Sequence, residues 1–143
     1  MEVPNLEILL VDDDYDAIST ACFLESCGHT VTITHNLADA EFYLTDSPGY
    51  KKYQAIVLDL SMSAEDLPPE LVSEARETYA GWVFYKHIIS KCPGMQQRTI
   101  FLSGYAYALN HLSENNETFM SIYKGNESVK LLLEKLAAIE SRG

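Results

Sequence analysis

Six side chains in this sequence stand directly after short apolar runs, and together they could do phosphoryl chemistry. Asp12, Asp13 and Asp14 follow Ile8-Leu9-Leu10-Val11, and Asp59 follows Ala55-Ile56-Val57-Leu58. Ser103 follows Thr99-Ile100-Phe101-Leu102, and Lys124 follows the run from Phe119 to Tyr123. Carboxylates gathered at one place repel, and one stays protonated unless a cation neutralises them. Hard carboxylate oxygens with no partner His or Cys suit Mg²⁺, with Mn²⁺ as the alternative, since these ions keep several waters and need few protein ligands. A lysine and a hydroxyl facing such a site offer a transferring phosphoryl group a point charge and a hydrogen-bond donor.

These residues work together only if the chain brings the run ends to one edge, and the pattern between the runs predicts that it does. The spacing predicts a helix over Asp16 to Ser26, with Ile18, Ala21 and Cys22 as its periodic apolar positions and Gly28 as its stop. Thr30 to Thr34 is β-branched and alternating, which predicts a strand. Asn36 is placed to cap a second helix carrying Leu37, Ala40, Tyr43 and Leu44, which Ser47-Pro48-Gly49 breaks. A third main helix is expected from about Ala80-Gly81-Trp82, a weaker one around Ala106 to Leu112, and a last one with Val129, Leu132, Leu133, Leu136 and Ile139 on one face. The order βαβαβαβαβα implies parallel pairing, right-handed crossovers and an α/β sandwich of three layers. In such folds the ligand site lies outside the carboxyl ends of the strands, where strand order reverses.

Composition narrows the function classes. The 143 residues suit one domain spanning 1–143, and 47% hydrophobic with 22% charged residues is ordinary globular usage. A net charge of −11, from 10 basic and 21 acidic residues, has the wrong sign for binding nucleic acid or an anionic membrane. Three cysteines without paired spacing read as reduced thiols. Met1 to Asn5 has neither a basic nor an apolar signal region and no run is long enough to span a bilayer, so a cytoplasmic location is expected. The four histidines (His29, His35, His87 and His111) show no metal spacing, and Trp82, Phe84 and Tyr85 read as core contacts.

The segments Ile8 to Asp14, Ile56-Val57-Leu58-Asp59-Leu60-Ser61-Met62, Phe101-Leu102-Ser103-Gly104 and Tyr123-Lys124 resemble, in this order, the signatures of the response-regulator receiver domain. The resemblance implies a flavodoxin-like (βα)5 sandwich with a parallel sheet of order 2-1-3-4-5. That strand order comes with the family resemblance and does not follow from the residues alone. It implies that Asp59 accepts a phosphoryl group from a kinase phosphohistidine, that Asp13 and Asp59 bind Mg²⁺ directly, that Asp12 holds the ion through water, and that the Ser61 carbonyl completes the protein ligands. Ser103 and Lys124 would then bond phosphoryl oxygens. The implied partners are a sensor histidine kinase or phosphotransfer protein and a downstream protein target, and a homodimer is left open.

Three features depart from that pattern. Residues 63–79 form an insertion before the third main helix, in which Leu71, Val72, Ala75 and Tyr79 predict an extra short helix with proline in its first turn, hanging beside the acidic residues. Gly125 follows Lys124 where the family has proline after a cis bond. Ser121 stands three before the lysine, where many receivers carry an aromatic switch residue. The last two motivate an alternative, a degenerate receiver that binds a protein partner without phosphorylation. A phosphohydrolase is disfavoured, because Asp59-Leu60-Ser61 lacks the second carboxylate needed as acid and base. Taken singly the same residues have plainer readings: Asp12 to Asp14 as a helix N-terminal acid cluster, Lys124 as a surface lysine and Ser103 as a strand-end hydroxyl.

Overall fold

Five short runs, most of them rich in β-branched and aliphatic residues, become the five strands: β1 Glu7–Val11, β2 Thr30–Thr34, β3 Ala55–Asp59, β4 Thr99–Ser103 and β5 Met120–Tyr123. The structure, a computed structural model, describes residues 5–104, 120–125 and 128–142. All four strand pairings are parallel and the order is β2-β1-β3-β4-β5. Strands β3 and β4 are buried at every position, which is why they read as continuous apolar runs rather than alternating ones.

The helices are α1 Asp16–Ser26, α2 Leu37–Thr45, α3 Pro69–Glu77, α4 Ala80–His87 and α5 Ser128–Arg142. The helix expected around Ala106 to Leu112 lies outside the described residues. Alternate strand side chains feed two separate cores. Leu9, Val11, Ile56, Leu58 and Phe101 pack with α2 and α4, and Ile8, Leu10, Val57, Ile100 and Leu102 pack with α1 and α5. The result is the three-layer, flavodoxin-like arrangement that the element order implies.

Local signals explain the helix ends. The Asn36 side chain accepts a hydrogen bond from the Asp39 N–H at 2.7 Å, capping α2. Asn36→Ala is expected to cost about 1 kcal/mol, read as a lower urea midpoint with an unchanged slope. Gly28 ends α1 at φ +99°, with Gly28 N–H donating to Glu25 O and His29 N–H to Leu24 O, the paired bonds of a left-handed helix stop. Pro69 occupies the first position of α3, where its missing N–H costs nothing.

Three expectations are corrected. The buried stripe of α1 is Ala17, Ala21 and Leu24, while Ile18 is 53% exposed and Cys22 is also exposed. Residues 17, 21 and 24 lie on one face at i, i+4 and i+7, and the two alanines let the helix backbone approach the sheet closely. Tyr43 likewise turns partly outward, leaving Leu37, Ala40 and Leu44 as the inner face of α2. The segment expected to hang beside the acids is instead seated on the core. Leu67 and Ala75 are buried, Leu71 and Tyr79 pack against the same cluster, and no residue of 63–79 lines the acidic cleft.

Candidate functional site

At the carboxyl edge of the sheet each functional residue is tied by its own or its neighbour's backbone to the adjacent strand. Asp12 N–H donates to Thr34 O at 3.0 Å, Leu60 N–H to Leu102 O at 3.0 Å, and Lys124 N–H to Ser103 O at 2.8 Å. The ladders thus run one residue past the strands and hold Asp12, Asp59 and Lys124 on a rigid edge. Side-chain turns then orient the acids. Asp12 Oδ1 accepts from Asp14 N–H at 3.0 Å, and Asp59 Oδ1 accepts from Ser61 N–H at 2.9 Å. The other oxygen of each carboxylate is left to face the lysine.

Lys124 Nζ lies 3.0 Å from Asp12 Oδ2, 3.0 Å from Asp59 Oδ2 and 3.8 Å from Asp14 Oδ2. One ammonium therefore bridges two carboxylates that are themselves buried, Asp12 at 2% and Asp59 at 4% exposure. Carboxylate oxygens of Asp12, Asp13 and Asp59 lie within 4.8 Å of one another. Asp13, Asp14, Asp59, Ser61, Gly104 and Lys124 line an open cleft of about 500 Å³. Five of the six predicted residues (Asp12, Asp13, Asp59, Ser61 and Lys124) are thus brought together. Ser103 is fully buried at the end of β4, while its neighbour Gly104 lines the cleft. The Lys124–Gly125 bond is trans; among the described residues the cis peptide is Ser47–Pro48.

Burial pushes the Asp12 carboxyl up to about 6; the Asp14 N–H works against that rise, the neighbouring Asp59 adds to it, and Lys124 opposes it. For Lys124, burial disfavours the ammonium, but hydrogen bonds and attraction from Asp12 and Asp59 outweigh it and hold its pKa above the ordinary lysine value. The folded Asp12 carboxyl binds its proton more tightly than the unfolded one. Its contribution to stability is therefore full below about pH 4 and lost as pH rises through about 6. Urea unfolding with chelator present should show Asp12→Asn gaining on the wild type between pH 4 and 6, by on the order of 2 kcal/mol at the top of that window. A difference that is flat with pH would contradict this reading of the Asp12 environment.

The donor set fits a small hard cation. Neighbouring oxygens on a Mg²⁺ ion stand about 3 Å apart and opposite ones about 4.2 Å, given bonds of about 2.1 Å, so carboxylates within 4.8 Å of one another need to close by up to about 2 Å, or to reach the ion through water as expected for Asp12. Two contributors escaped the sequence reading. The ring nitrogen Nδ1 of His35 lies 3.1 Å from the Asp12 carbonyl oxygen, steadying the loop from behind. Gly81 N–H donates to Leu60 O at 3.0 Å, which fixes the first turn of α4 against the backbone of the acidic loop. A Cβ at position 81 would stand 2.3 Å from the Asp59 carbonyl oxygen, so glycine is what permits that approach. Only the isolated glycine at a helix start could have signalled it.

No family model matches the sequence, and no curated protein does. Solved structures do. The chain is similar to the receiver domain of Francisella response regulator 1452, at 20% identity and a TM-score of 0.69 over 96% of this chain and 98% of that one. It is similar to a CheY-like response-regulator receiver domain from Methanospirillum hungatei, at 25% identity and a TM-score of 0.66 over 98% of this chain and all of that one. It is also similar to 28% of NtrX from Brucella abortus, at 18% identity and a TM-score of 0.69 over 97% of this chain. The resemblance carried by the strand-end motifs thus holds across nearly the whole chain. No described helix is long and apolar enough to cross a membrane.

Proposed function

We propose that this chain is the phospho-accepting receiver of a two-component phosphorelay, with Asp59 as the acceptor. The observation that carries the reading is the single ammonium of Lys124 held 3.0 Å from both Asp12 and Asp59, at the carboxyl edge of the strands, the edge at which open parallel α/β sheets in general bind ligands. An Asp59 oxygen attacks phosphorus of a kinase phosphohistidine, the phosphorus–nitrogen bond breaks, and the electron pair stays on the imidazole. Asp13 and Asp59, the Ser61 carbonyl, and Asp12 through water would hold Mg²⁺, which when bound neutralises charge on the transferring group. Lys124 moves from Asp59 Oδ2 to a phosphoryl oxygen and needs only a short displacement to do so. Ser103, at the end of β4, is the hydroxyl for a second phosphoryl oxygen. The new charge and acceptor oxygens then shift a surface that binds a downstream protein.

The test is phosphorylation from a small donor such as acetyl phosphate, followed by intact mass. One phosphoryl adduct is expected with Mg²⁺, none with chelator and none in Asp59→Asn. An adduct of equal yield in Asp59→Asn would overturn the assignment. The degenerate-receiver alternative draws on Ser121, which pairs in register with Phe101 and offers no ring to move. It predicts instead that the partner's affinity is the same for wild type and Asp59→Asn.

A further inference from the structure

Resting on that reading, we propose that phosphorylation at Asp59 is read out through α4 and the inserted helix α3, rather than through β5. Position 121 lacks an aromatic side chain, but the rings are present one strand over. Trp82 and Tyr85 of α4 stack on each other at 5.4 Å, and Tyr85 meets Phe101 edge-on at 4.9 Å. Phe101 is the register partner of Ser121, so the aromatic cluster lies directly beside the position where a switch ring would stand. The same helix begins against the phospho-acceptor. Gly81 N–H bonds Leu60 O, and the Gly81 Cα faces the Asp59 carbonyl with no side chain between to absorb a displacement. A shift of the Asp59–Leu60 backbone must therefore move α4 as a body, because close-packed elements transmit small displacements rather than damp them.

What α4 carries outward is α3. Glu74 of α3 is gripped by two consecutive residues of α4, with His87 Nε2 at 3.0 Å from Oε1 and Lys86 Nζ at 3.2 Å from Oε2. All three side chains are about two-fifths exposed, so this clamp is weak and readily released. Beneath it α3 has one buried side chain, Ala75, with Leu71 half-buried. Helix α3 is thus a lightly held element, poised between a docked and a freed arrangement, and joined to the acceptor by an inflexible link.

The experiment uses the full chain with acetyl phosphate and Mg²⁺, following three readouts on one sample: intact mass, amide hydrogen exchange of α3, and emission of Trp82, the sole tryptophan. Phosphorylation should raise exchange of 69–77 by about fivefold or more and shift the Trp82 emission. In Glu74→Gln the adduct should form as in wild type, exchange of α3 should be high beforehand, and phosphorylation should add little. An adduct that leaves α3 exchange and Trp82 emission unchanged overturns this inference while leaving Asp59 as the acceptor. So does a Glu74→Gln protein that keeps the full response to phosphorylation, since Glu74 would then be merely structural. Absence of any adduct removes the acceptor assignment, and this inference with it.

Discussion

Gly81→Ala is expected to lower the thermal midpoint by roughly 10 °C, the consequence of about 3 kcal/mol lost from a domain of this size. The added methyl would stand 2.3 Å from the Asp59 carbonyl oxygen and 2.8 Å from Leu60 Cα. Both neighbours are backbone, so no side chain can rotate away. Either the Gly81 to Leu60 hydrogen bond stretches or the start of α4 lifts from the sheet, and Trp82, Val83, Phe84 and Tyr85 are all buried behind it. Gly104→Ala is the control, because a methyl there meets nothing within 4 Å. Equal midpoints for the two variants would mean that α4 does not rest on the acidic loop as described.

Lys124→Met is expected to destabilise the protein by about 1 to 3 kcal/mol at neutral pH, and the loss should reverse on mild acidification. Two buried carboxylates, each 3.0 Å from the same ammonium, would lose their shared counter-charge. The upper part of the range for broken buried pairs is discounted, since the Lys124 side chain is 22% exposed and water reaches the cleft. Lys124 holds the Asp12 carboxyl down, so its removal lets that carboxyl climb further above its unfolded value. The variant therefore recovers toward the wild type as pH falls toward about 5, where one acid takes up a proton. Millimolar Mg²⁺ at neutral pH should restore it too, by binding the folded state alone. Urea midpoints at the two pH values, with and without Mg²⁺, check both; a loss that grows on acidification would contradict the assigned electrostatics.

Much of this was legible in the residues because buried parallel strands leave an unambiguous mark. Ile8 to Val11, Ala55 to Leu58 and Ile100 to Leu102 are apolar throughout, and polarity resumes abruptly at the sheet edge where Asp12, Asp59 and Ser103 stand. Helix faces were less legible. Apolar residues at 17, 18, 21, 22 and 24 fit more than one stripe of α1, and only packing against the sheet selects Ala17, Ala21 and Leu24. The seat of the insertion was hidden for a related reason. Leu67 and Ala75 are too few to declare which surface they cover, so their burial follows from the shape of the α4 side of the core. Contacts made to backbone leave little pattern in a sequence: a lone glycine near a helix start is the one trace of Gly81 on Leu60, and nothing marks the His35 ring on the Asp12 carbonyl.

The structure brings these parts together: a sheet edge that presents the acids, a lysine that neutralises two of them, and a helix whose Gly81 rests on the Asp59–Leu60 backbone. An acyl phosphate on an aspartate is reduced by borohydride to homoserine, which marks the acceptor permanently. Phosphorylating the chain with a small donor and Mg²⁺, reducing it, and locating the mass change by peptide sequencing tests the central claim most directly. Conversion at residue 59 alone is the predicted result. Conversion at another aspartate, or an unmodified residue 59 in a chain that carries phosphate, would contradict it.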